Sequence, residues 1–320
     1  MKRLGVVLST ATEGPPKEFI ELGQLAEEQG FTAILVNEGR GDALACAEAI
    51  ALNTSRIQVG TNIANIYFRH PFLAAMTAAT IAELSNGRLV LGFGVSHRPL
   101  IESLGMKMDK PRQYMREYVQ TVKKVLSGQP IGSFFRPRPS AFSVPVYVAS
   151  VTAETAEVGG EVGDGIMPFL PARSYLPRLV SAAKDAAQRV GKNPDQVDCI
   201  VSIPTFISED LEQARSAARY NLAFFAQLPF YRMQWRRSGF VDEVNALKEL
   251  WQGRGDRRTA AALVTDRMVE EVCIFGPPSL CKEQLAAFHE AGTAMPVIAV
   301  SPVNEERLTA THKALRLLAP

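Results

Sequence analysis

The chain has 320 residues, 47% apolar and 21% charged, an ordinary globular balance that allows one large buried core. Its 35 Lys and Arg nearly cancel 33 Asp and Glu, so a net charge of +2 gives no ground for a nucleic acid or an anionic membrane as partner. Nowhere do about eighteen apolar residues follow one another, and the start, Met1-Lys2-Arg3-Leu4-Gly5, moves straight into an apolar run expected to be too brief for a secretory signal. Cys46, Cys199, Cys273 and Cys281 form no close pair, so a cytoplasmic protein with reduced thiols and no metal site is expected.

Apolar runs alternate with longer amphipathic stretches in the manner of βα units. The predicted strands are Leu4–Ser9, Ala33–Asn37, Ile57–Ala64, Leu89–Val95, Val144–Ala149, Gly165–Phe169, Cys199–Phe206 and Pro296–Ser301. Eight buried strands fit a closed (β/α)8 TIM barrel, read here as one domain over residues 1–320. A ninth run, Val272–Gly276, leads into Pro277-Pro278-Ser279 and reads as the approach to the last helix rather than a barrel strand. Gly30, Gly87, Gly163 and Gly292 each fall where a helix stops shortly before a strand, a recurring αβ turn.

Two connections exceed simple turns, about 96–143 after the fourth strand and 207–295 after the seventh. Both leave the strands' C-terminal ends, where a barrel builds its site, so they are candidate lids and substrate walls. They carry Arg136, Arg138, Arg236, Arg237, Arg254, Arg257 and Arg258, which read by default as solvated loops and otherwise as docking points for an anionic group, with 254–258 read as a flexible loop. Phe68, Phe230, Tyr231 and Trp235 could wall an apolar pocket or form a lid's own small core.

The first residues past each strand are Ser9 and Thr10, Asn37 and Glu38, Asn62 to Asn65, Ser96 to Arg98, Ser150 to Thr152, Phe169 and Ser301. They contain no nucleophile-base pair, Walker loop, strand-end Lys or carboxylate cluster, which argues against a lyase or isomerase and favours chemistry carried by a coenzyme. Asn62 and Asn65 read equally as loop residues at a strand end, Thr152 as a helix cap or a phosphate ligand, and Asn37-Glu38 as a solvated turn or part of a site. Of four histidines, His289 and His312 lie in amphipathic helices and His70 precedes a helix-starting Pro71. His97 alone is on the catalytic rim, where an imidazole can move a proton.

Gly60–Pro71 and Ile81–His97 resemble the luciferase-like flavin and deazaflavin oxidoreductases. So do Asp109-Lys110-Pro111 with Met115–Tyr118, Gly160–Gly165 and Leu228–Arg232. The resemblance spans most of the chain and looks closest to the branch that uses coenzyme F(420), a 5-deazaflavin, with FMN and molecular oxygen as the alternative and a non-catalytic coenzyme binder as a second. It implies a bulge with a non-proline cis peptide at Asn62-Ile63 behind the coenzyme ring, and further contacts from Asn37, Ala64, Asn65 and Val95. It also implies a phosphate turn at Ser150, Val151 and Thr152, and His97 with Glu38 as proton-handling residues. In the family's sugar-phosphate dehydrogenases the positions of Glu38 and His97 hold His and Glu, so a sugar substrate does not carry over, and the substrate is expected to be a small, largely apolar molecule. Barrels of this family commonly pair, and the Ala-rich stretch Pro71–Ser85 is the expected homodimer face.

Overall fold

Strands with no polar face can be buried only between two apolar layers, and a closed ring with helices outside supplies both. The computed structural model, which describes residues 3–12, 14–253 and 255–320, forms that ring. In chain order the elements are β1 (Gly5–Ser9), α1 (Pro16–Glu28), β2 (Ala33–Asn37), α2 (Ala43–Leu52), β3 (Gln58–Thr61), β4 (Ala64–Asn65), α3 (Pro71–Leu84), β5 (Leu89–Gly94), α4 (Arg98–Ser103) and α5 (Pro111–Leu126). There follow β6 (Val146–Ala149), α6 (Ala153–Val162), β7 (Gly165–Met167), α7 (Leu176–Arg189), β8 (Asp198–Ile207), α8 (Leu211–Phe225), α9 (Pro229–Arg237) and α10 (Val241–Gln252). The last are α11 (Arg257–Ala262), α12 (Asp266–Val272), β9 (Ile274–Gly276), α13 (Pro278–Glu290), β10 (Met295–Val300) and α14 (Arg307–Leu317).

The parallel ring runs β10-β1-β2-β3-β5-β6-β7-β8 and is closed by β8 on β10, in register from Ile200 opposite Met295 to Thr205 opposite Val300. β3 and β4 are two halves of one barrel strand. Gly60 faces Val90 and Ala64 faces Phe93, so four steps on one side match three on the other and one residue bulges out at Asn62-Ile63.

The run at 272–276 is no barrel strand, as expected, and leads into α13, but Ile274–Gly276 is nonetheless a short strand. It pairs with Thr205–Ile207 of β8 but stands outside the closed ring. The cause is a length mismatch: β7 has three residues and β8 ten, so the end of β8 projects past its neighbour and β9 satisfies the exposed edge. Gly30, Gly87 and Gly292 take the left-handed conformation expected of helix stops (φ 82°, 79° and 100°). Gly163 differs, with an extended φ of −89°. There the absent side chain gives room instead, since a Cβ would lie 2.8 Å from the Gly159 carbonyl oxygen.

Two apolar cores result. Ala33, Leu35, Val90, Tyr147, Met167, Ile200, Met295 and Val297 fill the lumen, while a larger core lies between the strands and the helices. The Glu27 carboxylate joins α1 to the turn before β3 by accepting the N–H groups of Ser55, Arg56 and Ile57 (2.8, 2.6 and 2.9 Å). Burial opposes that charge, but the three N–H groups outweigh it and hold the carboxyl down to about 2. A depressed carboxyl stabilises the fold above its unfolded value near 4.5, and this is lost as pH falls toward 2. Glu27→Gln should therefore lose less Tm than the wild type between about pH 5 and about pH 3. Parallel losses in the two proteins would show that Glu27 carries no such linkage.

Candidate active site at the barrel mouth

Side chains alternate in and out along a barrel strand. Beyond the filled lumen, the inward positions near the C-terminal ends become small: Ser9, Asn37, Gly94, Ala149, Ser202, Ala299 and Ser301, apart from Phe169. Ser9, Asn37, Ala149, Phe169, Ala299 and Ser301 are half-buried, so the mouth reaches solvent above a solid floor. A Cβ built on Gly94 would lie 2.6 Å from both Cγ1 and Cδ1 of Ile63 and 3.2 Å from the Ala149 Cβ. Even an alanine there would crowd this layer.

The Asn62-Ile63 bond is cis. Asn37 Nδ2 donates to the Asn62 carbonyl (3.0 Å), the Asn62 N–H donates to the Val36 carbonyl (2.8 Å), and Asn62 Nδ2 reaches across the lumen to Ser202 Oγ (2.8 Å). Ala64 and Asn65 are buried, and Asn65 Oδ1 accepts the Tyr67 N–H (2.9 Å). The structure thus gathers Asn37, Asn62, Ile63, Ala64 and Asn65 at one segment, with half-buried Val95 following Gly94 on the adjacent strand.

Glu38 belongs to that segment too, but not as a free proton carrier beside His97. Its Oε1 accepts Arg69 Nη2 (2.6 Å), and its Oε2 accepts Arg69 Nη1 (3.1 Å) and the Asn65 N–H (2.6 Å). Both carboxylate oxygens are thus committed to Arg69 and to the main chain of the bulge.

His97 follows Ser96, whose backbone is left-handed (φ 58°), and stands at the start of α4. Its ring meets Tyr231 edge-on at 5.7 Å, and Tyr231 packs on Phe169 (5.9 Å), Phe225 (5.2 Å) and Trp235 (6.3 Å). Tyr231 and Trp235 therefore form an aromatic wall beside the mouth, whereas Phe68 is exposed. Burial pushes the imidazole pKa below its ordinary value, and Nδ1 is buried with no hydrogen-bond partner among the described residues. Nδ1 is closed off from solvent, so a ligand proton would have to be taken by Nε2 of the neutral ring.

At the turn before α6 the Ser150 hydroxyl donates to the Val148 carbonyl (3.1 Å). The Val151 and Thr152 N–H groups, expected to face a phosphate, donate instead to Thr155 Oγ1 (3.1 and 3.0 Å). Thr152 and Thr155 form a capping box, so these two residues serve the turn's own geometry first. Glu154, whose charge would oppose a phosphate, is bound to Arg237 of α9 (2.6 Å), which holds its carboxyl down to about 2.

Three of the other basic residues are engaged elsewhere. Arg236 bonds Asn245, Arg138 bonds Glu83, and Arg257 packs over Tyr220. Arg257 and Arg258 begin α11 behind an Asp256 cap rather than lying in a flexible loop, and Arg254 is outside the described residues. Sequence reasoning missed Arg69, Thr155, Ser202 and Gly94. Only Thr155 left a local signal, the Thr-x-x-Thr spacing of a capping box.

The sequence profile of the luciferase-like monooxygenase family matches residues 3–295, and the chain belongs to this family of oxidoreductases. It is 28% identical over 313 residues to 5,10-methylenetetrahydromethanopterin reductase of Archaeoglobus fulgidus, covering 92% of this chain and 93% of that one. Its fold matches the coenzyme F(420) dependent tetrahydromethanopterin reductase of Methanopyrus kandleri at a TM-score of 0.81 and 22% identity, over 99% of this chain and 97% of that one. It also matches the oxygenating constituent of 3,6-diketocamphane monooxygenase from Pseudomonas putida, solved with FMN, at a TM-score of 0.70 and 17% identity, over 99% and 96% of the two chains.

Proposed function

We propose that this protein transfers a hydride between coenzyme F(420) and a small, largely apolar organic substrate at the barrel mouth. The observation that carries the reading is the change of the inward-facing layer from mostly large side chains to Gly94, Ala149, Ala299 and Ser301, the layer on which we place a planar ring. The F(420)-dependent relative supports the deazaflavin over FMN. When bound, that ring gives or takes the hydride.

The chain's own residues do the rest. Ile63, Gly94 and Ala149 form the apolar floor, with Asn37, Asn62, Ala64, Asn65 and Val95 around them. The positive end of α6 would face the phosphate, with Ser150, Val151 and Thr152 shaping the turn and Arg237 cancelling the Glu154 charge. His97 takes the proton that leaves a substrate hydroxyl, or returns it in the reverse direction, and the aromatic wall around Tyr231 keeps water away.

We further read the protein as a cytoplasmic homodimer. Leu52 of α2 and Leu73, Met76 and Leu84 of α3 are exposed on adjacent helices, an apolar face that a second copy would cover. No helix among the described residues is long and apolar enough to cross a membrane, and Cys46, Cys199, Cys273 and Cys281 are buried and free. Titration followed by absorbance decides the coenzyme. Saturable binding of F(420) with FMN binding at least about tenfold weaker, near 1.4 kcal/mol, is the expected result. Preference for FMN would make the protein a flavin monooxygenase instead.

A further inference from the structure

The Glu38 side chain is 3% accessible and that of Arg69 10%, so the structure keeps a full ion pair out of water beside the bulge. Burying two charges is costly unless each finds near-complete hydrogen bonding. Here that bonding ties separate elements together. The carboxylate accepts from Arg69 twice, from the Asn65 N–H after the bulge, and from the Ala43 N–H at the start of α2 (3.3 Å). The Glu38 N–H donates to the Ile63 carbonyl (3.1 Å), so one residue grips the bulge from both its main chain and its side chain. Arg69 Nη2 also reaches Asp42, the cap of α2 (3.0 Å), and the Arg69 carbonyl accepts Tyr118 Oη of α5 (3.1 Å).

We infer that Glu38 and Arg69 are positioning residues, a buried pin that sets the height and tilt of segment 62–65 over the lumen and thereby the fit of whatever planar ring rests there. The inference builds on the proposed coenzyme seat. The planar fork of Arg69 is essential to it, because an ammonium offers no parallel, coplanar pair of N–H donors to match the two carboxylate oxygens. The pin makes no contribution to proton transfer; its effect is on binding.

Arg69→Lys keeps the charge and loses the fork, and Glu38→Gln keeps the shape and loses the charge. Amide hydrogen exchange of the free protein reads the pin without any coenzyme: in both variants peptides covering 62–66 should exchange at least about tenfold faster, while peptides of the distant α13 and α14 stay as in the wild type. Titration with F(420) and with FMN should then show Kd raised about tenfold or more for whichever the wild type binds, with kcat at saturating coenzyme within about threefold of wild type and an unshifted pH profile. The double variant should be little weaker than either single one, because both break the same unit. Unchanged exchange at 62–66 overturns the pin. A collapse of kcat at unchanged Kd, with loss of one limb of the pH profile, overturns it too and makes Glu38 the proton carrier. Failure of the wild type to bind either coenzyme would refute the coenzyme seat alone, since the exchange measurement still decides the pin.

Discussion

His97→Ala cuts kcat by about 10²–10⁴-fold, the usual worth of a positioned acid-base group, while coenzyme affinity stays within about threefold of wild type. Two structural facts set this expectation. The imidazole borders the mouth on the aromatic wall rather than on the apolar floor, so its loss removes little coenzyme contact. Its Nδ1 has no protein partner among the described residues, so no structural bond is broken.

The pH dependence follows from the direction of the His97 shift. Burial favours the neutral ring, so protonation occurs below the ordinary histidine range. In the direction that takes a proton from substrate, kcat/KM should hold through neutral pH and fall only below about 6.5, and the His97→Ala profile should lack that limb. For stability the sign is the same: a histidine buried neutral contributes above its unfolded value, and this is lost as pH falls through it. A variant with unchanged kcat, or one retaining the acid limb, would remove His97 from the chemistry.

Gly94→Leu should weaken coenzyme binding by about tenfold to a hundredfold, matching the 1–3 kcal/mol that overpacking costs. The added side chain meets the Ile63 side chain and Ala149 and must either displace Ile63 or rise into the recess. Gly94→Ala should give a smaller loss in the same direction, because it adds one methyl group to the same crowded layer. Far-UV circular dichroism should remain that of the wild type. Equal coenzyme affinity in wild type, alanine and leucine forms would mean that the ring does not lie against this layer.

The barrel was legible because fully buried parallel strands read as unbroken apolar runs: β2 is Ala33-Ile34-Leu35-Val36-Asn37 and β5 is buried throughout. β9 was less so. Three apolar residues do not say which neighbour has an unsatisfied edge, and that edge exists only because β8 outruns β7. At the mouth, chain position past each strand pointed to Asn37, Glu38, Asn62, Asn65 and His97. It could not give their partners. Glu38 and Arg69 are 31 residues apart and Asn62 and Ser202 are 140 apart, so those bonds depend on ring closure and on side-chain direction. The expected phosphate turn at Ser150–Thr152 shows the same limit, since Thr155 claims two of its N–H groups. Gly94 carried no signal because a missing side chain acquires meaning only from what stands opposite.

The central claim is that a planar redox ring lies flat on the apolar layer of Ile63, Gly94 and Ala149. A crystal structure of the protein soaked with F(420) tests it directly. The account predicts ring density within van der Waals contact of these three residues, its reacting face turned toward His97. A coenzyme seated elsewhere, or a recess closed by its own side chains in the soaked crystal, would contradict it.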